Sequence, residues 1–180
     1  YWMLWTFHHI LIDGWSMQII MEELLENYEA IISGEQSEPN EIDRYEDYIR
    51  FIEARDSEGE ESYWRKYLTG VENSTLLPFI PPKESRNRLA GRYANKVVIL
   101  DQVTTQLIKH YGSRHHLTIN TIMQGVWAYL LHAYTGNPCV TFGTTVSGRP
   151  DSFPGIEHRV GLYINTIPLR SEMLHQSSIV

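Results

Sequence analysis

The sequence predicts a mixed α/β fold, and three observations support this prediction. Residues 1–7 form an apolar and aromatic run with the length of a buried strand, too short for a typical helix. Apolar side chains in residues 15–32 recur every three or four positions, as on one face of an amphipathic helix. Further helix-like and strand-like segments follow in mixed order, and no internal repeat is present.

Three helices are predicted in the first part of the chain. The first covers residues 15–32 and stops at Ser33 and Gly34, a pair that favours the end of a helix. Apolar positions on one face predict a second helix over residues 43–55, and a third follows over residues 60–68. Residues 71–89 contain three prolines and little periodicity, so we interpret them as a linker or crossover at a domain boundary.

The second part of the chain alternates between predicted strands and helices. The pattern predicts a strand over residues 93–100 and helices over residues 104–116 and 121–134, the latter capped by Asn120 or Thr118. A strand over residues 140–146, a loop rich in glycine and proline over residues 147–157, and a strand over residues 161–169 complete the order.

The composition limits the possible partners and compartment. The net charge of −7 argues against nucleic acid, because phosphate binding needs clustered Lys and Arg. The sequence contains neither an apolar run of 18 residues nor a signal-peptide pattern, so we expect no membrane association. Cys139 is the only cysteine, which excludes a disulfide within the chain and favours the cytoplasm. Both ends of the chain lie beside predicted strands, so we expect a piece of a longer domain.

The run HHILIDG carries the residues best suited to chemistry. His8, His9, Asp13 and Gly14 lie where an apolar strand is predicted to end and a helix to begin, and loops of this kind often hold catalytic groups. A neutral imidazole, with an ordinary pKa near 6.5, can accept a proton close to neutral pH. Asp13 could orient a histidine, pair with a distant arginine or cap the following helix.

Less specific interpretations of the same run stay open. An adjacent histidine pair can also consist of one buried, hydrogen-bonded ring and one solvated ring. His9 and Asp13 stand four apart, as two metal ligands on one helix face would, but Gly14 argues against a helix there and no third ligand is nearby. Elsewhere in the chain, residues 143–150 have the glycine spacing of a phosphate loop, but Arg149 and Pro150 replace its Lys and Ser or Thr, so we reject an ATP site there.

Several separated motifs, in order, resemble those of the condensation domains of nonribosomal peptide synthetases. HHILIDGWS at residues 8–16 resembles the HHxxxDG signature, and YEDYIRF at residues 45–51, continued by YWRKYL, resembles the next motif. VTFGTTVSGRP at residues 140–150 and VGLYINTIPLR at residues 160–170 resemble two later motifs. The resemblance implies a chloramphenicol-acetyltransferase-like pair of α/β lobes, only part of which is present. Residues 1–70 would end the N-terminal lobe, residues 71–89 would cross over, and residues 90–180 would begin the C-terminal lobe.

The same resemblance assigns roles to individual residues. His9, the second histidine of the signature, would be catalytic, either as a base or by positioning the attacking amine, and His8 precedes it in the motif. Asp13 would pair with Arg149 across the predicted lobe boundary. The amide of Gly14 is a candidate oxyanion donor by its position. Two further residues would shape the site, namely Trp15 and Asn165.

The resemblance also implies the reaction and its partners. The domain would form an amide bond between a donor thioester and an acceptor amine, both carried on the 4′-phosphopantetheine arms of upstream and downstream peptidyl carrier domains. An adenylation domain would be adjacent, and neither a cofactor nor a metal would be bound directly. We expect the isolated piece to be inactive. Alternatives are an epimerisation domain, a stand-alone acyltransferase of the same superfamily and a non-catalytic platform that recruits other enzymes.

Overall fold

A computed structural model of the protein describes residues 2–35, 44–80 and 94–173. Within these ranges the chain forms helices and a two-stranded sheet in which β1 pairs with β2, which confirms the predicted α/β class. The elements in chain order are α1 (Gly14–Ser33), α2 (Tyr45–Glu53), α3 (Ser57–Tyr67), α4 (Gln102–Arg114), α5 (Ile119–Thr135), β1 (Cys139–Val146) and β2 (Asn165–Glu172). A short 3-10 helix, Ile156–His158, lies between the two strands in the sequence.

The helix ends follow from local chemistry that the sequence contains. Asp13 caps α1 by accepting a hydrogen bond from the backbone N–H of Ser16, and Gly34 ends the helix with a left-handed φ of 74°. Thr118, rather than Asn120, caps α5 through the N–H of Thr121. All five predicted helices are therefore confirmed, with ends that differ by a few residues from the predicted ones.

The described residues group into two compact units, each with its own small core. The first comprises Tyr1–Tyr67 and Thr144–Ile167, and the second comprises Leu68–Gly143 and Pro168–Val180. The core of the first unit consists of Phe153, Ile156 and Tyr163, packed against Tyr45, Tyr48 and Phe51 of α2. The core of the second consists of Ala128, Leu131 and Val140, packed against Leu77, Phe142 and Met173. Since residues 144–167 return to the first unit, this grouping differs from the boundaries drawn at residues 71–89, and the division into lobes stays a prediction.

The predicted strands at residues 1–7 and 93–100 are wrong for the residues that the structure describes there. Residues 2–7 and 94–100 belong to neither a helix nor a strand, and their side chains are exposed. An apolar run becomes a strand only when another strand accepts and donates its backbone hydrogen bonds. The described chain provides no such neighbour for either segment. Residues 1 and 93 lie outside the described residues.

The predicted strand at residues 161–169 is partly wrong, because β2 begins at Asn165. The backbone N–H of Gly161 donates instead to the hydroxyl oxygen of Ser16, and those of Tyr163 and Ile164 donate to the carboxylate of Asp13, the cap of α1. An N–H group that donates to one of these side chains is not available to a sheet, so the strand starts only after this contact. No described helix is both long enough and apolar enough to cross a membrane.

Candidate functional site

The two histidines lie on a tight turn that leads directly into α1. The backbone N–H of Leu11 donates to the carbonyl oxygen of His8 at 3.0 Å, which closes the turn. Both histidine side chains are exposed, whereas Ile12 and Asp13 after them are buried. The buried residues that follow the turn thus hold it in place, and the imidazole rings face solvent.

The hydrogen bonds of the turn give the two imidazoles opposite tautomers. His9 Nδ1 lies 2.9 Å from the carbonyl oxygen of Ile12. A carbonyl oxygen only accepts, so Nδ1 of His9 carries the proton and Nε2 of the neutral ring keeps its lone pair. His8 Nδ1 instead accepts the backbone N–H of Ile10 at 3.1 Å, so its neutral ring carries the proton on Nε2. Of the two neutral histidines, only His9 therefore has a lone pair on Nε2.

The carboxylate of Asp13 is buried and accepts hydrogen bonds on both oxygens. Oδ1 accepts the backbone N–H and the hydroxyl of Ser16, at 2.9 and 2.8 Å, and an Arg149 Nη2 hydrogen at 3.3 Å. Oδ2 accepts the backbone N–H groups of Tyr163 at 3.0 Å and Ile164 at 3.3 Å. Asp13 therefore caps α1 and pairs with the distant arginine at once, and these two of its three predicted roles are confirmed.

The surroundings of Asp13 favour its charged form. Burial alone would raise the pKa of this carboxyl, but the hydrogen bonds from Ser16 and Tyr163 and the positive charge of Arg149 outweigh it. Its pKa is consequently lowered from the ordinary value of 3.8. Since the charged form is the one the fold stabilises, Asp13 contributes stability only while it is ionised.

This shift predicts how stability depends on pH. Because the pKa in the folded protein lies below 3.8, the contribution of Asp13 is complete well above that pH and is lost as the pH falls through the folded value. We expect the free-energy difference between wild type and Asp13→Asn, measured by urea unfolding, to be largest at neutral pH and to shrink below pH 4. The control is Asp151→Asn, the same substitution at an exposed position. A difference that is constant down to pH 2 would contradict the assignment.

Arg149 reaches Asp13 from the loop after β1, and its side chain is only 4% exposed. Its Nη1 donates to the carbonyl oxygens of Ile156 and, at 2.9 Å, of Arg159. Its Nη2 donates to Asp13 and, at 3.0 Å, to the hydroxyl oxygen of Ser16. The expected Asp13–Arg149 pair is therefore present, and both residues lie in the first compact unit. That this pair crosses a lobe boundary stays a prediction.

Helix α2 carries the YEDYIRF motif. Two of its tyrosines form hydrogen bonds with the Arg149 loop and with the segment that reaches Asp13. The hydroxyl of Tyr48 donates to the carbonyl oxygen of Gly148 at 2.9 Å, and that of Tyr45 donates to Leu162 at 2.6 Å. Gly148 has a left-handed φ of 63°, and a Cβ there would clash with the carbonyl of Tyr163. The motif thus acts by packing and backbone anchoring, which helical periodicity alone did not indicate.

The remaining predicted site residues lie at different places in the first unit. Trp15 is half exposed and donates its indole N–H to the carbonyl oxygen of Glu157 at 3.0 Å. It borders an open cleft of about 420 Å³ together with Arg149, Asp151 and Glu157. Gly14 is exposed as the first residue of α1, and Asn165 begins β2 with its own side chain bonded to the N–H of Thr166. The described contacts do not bring Asn165 to His9.

Ser16 and Gly161 are the site residues that the sequence analysis missed. The Ser16 side chain is fully buried and contacts Asp13, Arg149 and Gly161. A signal was available for Ser16, because a serine three residues after an Asp cap is placed to bond with it. No local signal marks Gly161, whose partner in α1 lies 145 positions away. Within the described ranges, no cluster of three His, Cys, Asp or Glu side chains could hold a metal ion.

Comparison with known families gives a match over the whole chain. A family model described as the Condensation domain matches residues 1–180. A linear gramicidin synthase of Brevibacillus parabrevis is 36% identical over 177 residues, which are 98% of this chain and 4% of that protein. A mycosubtilin synthase of Bacillus subtilis is 42% identical over 173 residues, covering 93% of this chain and 6% of that protein. The chain therefore spans a small part of these relatives.

Solved structures with the same fold also exceed this chain in length. The first condensation domain of the CDA synthetase superposes with a TM-score of 0.71 and 23% identity, covering 95% of this chain and 37% of that one. The epimerization domain from the third module of tyrocidine synthetase B superposes with a TM-score of 0.70 and 20% identity, covering 92% and 39%. At these identities the likeness shows the fold alone, which is that of part of a condensation domain, as the sequence predicted.

Proposed function

This chain belongs to the condensation-domain family, and from that premise we propose that it is the part of a peptide synthetase that holds the residues for amide-bond formation. The donor is an acyl or aminoacyl thioester, and the acceptor is the free amine of a second aminoacyl thioester. The new C–N bond forms at the donor carbonyl, the donor thiolate leaves, and the amine loses a proton. The reaction thus needs an amine that is aligned with the carbonyl and a group that accepts its proton.

The observation that carries the proposal is the tautomer of His9. With Nδ1–H donated to the Ile12 carbonyl, Nε2 presents a lone pair to solvent from a turn anchored on buried residues. Such a nitrogen can accept the amine proton or hold the amine in place by accepting its N–H. In the neutral ring of His8, by contrast, Nε2 carries the proton and can only donate it. We therefore propose His9 as the catalytic residue, with the backbone N–H of Gly14 as the candidate donor to the oxyanion.

The proposed partners follow from the relatives, whose names are those of gramicidin and mycosubtilin synthases. We propose that both substrates arrive on the phosphopantetheine arms of flanking carrier domains and that an adenylation domain loads the acceptor carrier. In this arrangement the chain binds the arms only transiently and holds no cofactor of its own. The synthetase supplies the remaining residues of the catalytic domain.

Epimerisation is the second candidate, because an epimerization domain shares this fold. A base at Nε2 of His9 could also remove the α-proton of a carrier-bound aminoacyl group. The two reactions differ in what they need, since epimerisation uses one loaded carrier and condensation uses two. An experiment with one and two loaded carriers separates them.

The test uses the complete synthetase that contains this chain, with donor and acceptor carriers loaded. We expect intact-protein mass spectrometry to show a dipeptidyl group on the acceptor carrier and a free donor carrier. The control is the same protein with the acceptor carrier left unloaded in deuterated buffer, where no product and no uptake of deuterium at the donor α-carbon is expected. Deuterium uptake without a new amide bond would favour epimerisation and contradict the proposal.

A further inference from the structure

One peptide group connects the ring of His9 to a distant part of the chain. The carbonyl of Ile12 accepts the Nδ1–H of His9 at 2.9 Å, and the N–H of the same peptide group, that of Asp13, donates to the carbonyl oxygen of Gly161 at 3.1 Å. The C=O and N–H of a trans peptide lie in one plane and point in opposite directions. The direction of the Ile12 carbonyl is therefore coupled to the position of Gly161.

The hydroxyl of Ser16 fixes Gly161 against the start of α1. Its oxygen accepts the backbone N–H of Gly161 at 3.0 Å, and it lies 2.8 Å from both the Gly161 carbonyl oxygen and Oδ1 of Asp13. A hydroxyl has one proton, so it donates to one of these two acceptors at a time. Because Ser16 has no exposed surface, water cannot replace the hydroxyl if it is removed.

Residue 161 must also lack a side chain in this arrangement. A Cβ there would lie 2.6 Å from Cε2 of Tyr45 and 3.0 Å from Cε2 of Tyr163. Tyr45 cannot move freely, since its hydroxyl is bonded to the carbonyl of Leu162 and its ring packs against Tyr163 with centroids 5.4 Å apart. Any larger residue would displace the segment that receives the N–H of Asp13.

We propose that Ser16 and Gly161 are positioning residues that hold the Ile12–Asp13 peptide group in the orientation that keeps the proton of His9 on Nδ1. Through this peptide they keep Nε2 of His9 available to the acceptor amine. The inference rests on the proposed function, because it assigns Ser16 and Gly161 a role in that reaction and not only in folding. Neither residue contacts the substrates in this role.

The test is a double-mutant cycle of Ser16→Ala and His9→Asn in the complete synthetase with both carriers loaded. We expect Ser16→Ala alone to lower kcat about 10²-fold, because misplacing a reacting group by about 1 Å has a cost of this size. KM for the loaded acceptor carrier should stay unchanged. In the His9→Asn background, Ser16→Ala should lower kcat no further, because its effect passes through His9. The control Ser33→Ala, at the exposed far end of α1, should leave both constants unchanged.

The outcomes separate this inference from the proposed function. An equal loss from Ser16→Ala in both backgrounds would mean a purely structural role and would overturn the inference. A loss with His9→Asn but none with Ser16→Ala would overturn it as well, while leaving the proposed function intact. If His9→Asn retains the wild-type rate, the proposed role of His9 and the inference fail together. Should Ser16→Ala not fold, Ser16→Cys, which fills the site with a weaker hydrogen-bonding group, enters the same cycle with the same expectation.

Discussion

Replacing His9 with asparagine should lower kcat for amide-bond formation by about 10²- to 10⁴-fold, the range typical of a lost general acid or base. The Nδ2–H of asparagine can still donate to the Ile12 carbonyl, as Nδ1–H of His9 does at 2.9 Å. The substitution therefore keeps the turn and removes the Nε2 atom of the imidazole. Single-turnover kinetics with both carriers loaded, followed by intact-protein mass spectrometry, measures the loss directly.

His8→Asn is the matched control for this prediction, because the two residues are adjacent, exposed and of the same type. His8 Nδ1 accepts a backbone N–H, a bond that the side-chain oxygen of asparagine can replace. We expect the His8 variant to keep kcat within a few-fold of wild type. Equal losses in the two variants would show that the turn as a whole, and not Nε2 of His9, determines the rate.

Replacing Arg149 with methionine should destabilise the folded protein by about 3–5 kcal/mol, as expected when one partner of a buried ion pair is removed. The side chain of Asp13 is fully buried and that of Arg149 is 4% exposed, so water cannot solvate the carboxylate that remains. The substitution also removes the donors to the carbonyls of Ile156 and Arg159. It further removes the guanidinium stacked 4.2 Å from the ring centre of Tyr163. Urea unfolding monitored by circular dichroism gives the difference.

Arg159→Met provides the comparison within the same part of the chain. Arg159 pairs with Asp47 at 3.9 Å across a partly exposed surface, and pairs of that kind contribute about 1 kcal/mol or less. A third variant, Arg149→Lys, keeps the charge without the planar fork and should recover only part of the lost stability. The prediction fails if Arg149→Met costs no more than Arg159→Met.

Periodicity and capping chemistry predicted the helices because these signals act within a few residues. The apolar spacing of residues 15–32 and the cap at Asp13 define α1, and Gly34 stops it. Strand prediction was poorer because a strand depends on a partner elsewhere in the chain. Residues 94–100 have a strand-like composition and yet pair with nothing that the structure describes. Segment 161–164 likewise bonds to Asp13 and Ser16 at the start of α1, and β2 starts after it.

By itself, the sequence determined the α/β class, the order of the helices, and a histidine turn placed directly before a capped helix, since each of these depends on local spacing. Its motifs also identified the family. Only the tertiary structure decided among the roles left open for Asp13, because Arg149, Tyr163 and Ile164 reach it from more than 130 residues away. The tertiary structure also decided which histidine has a lone pair on Nε2. The tautomer depends on which backbone group the folded turn brings to Nδ1.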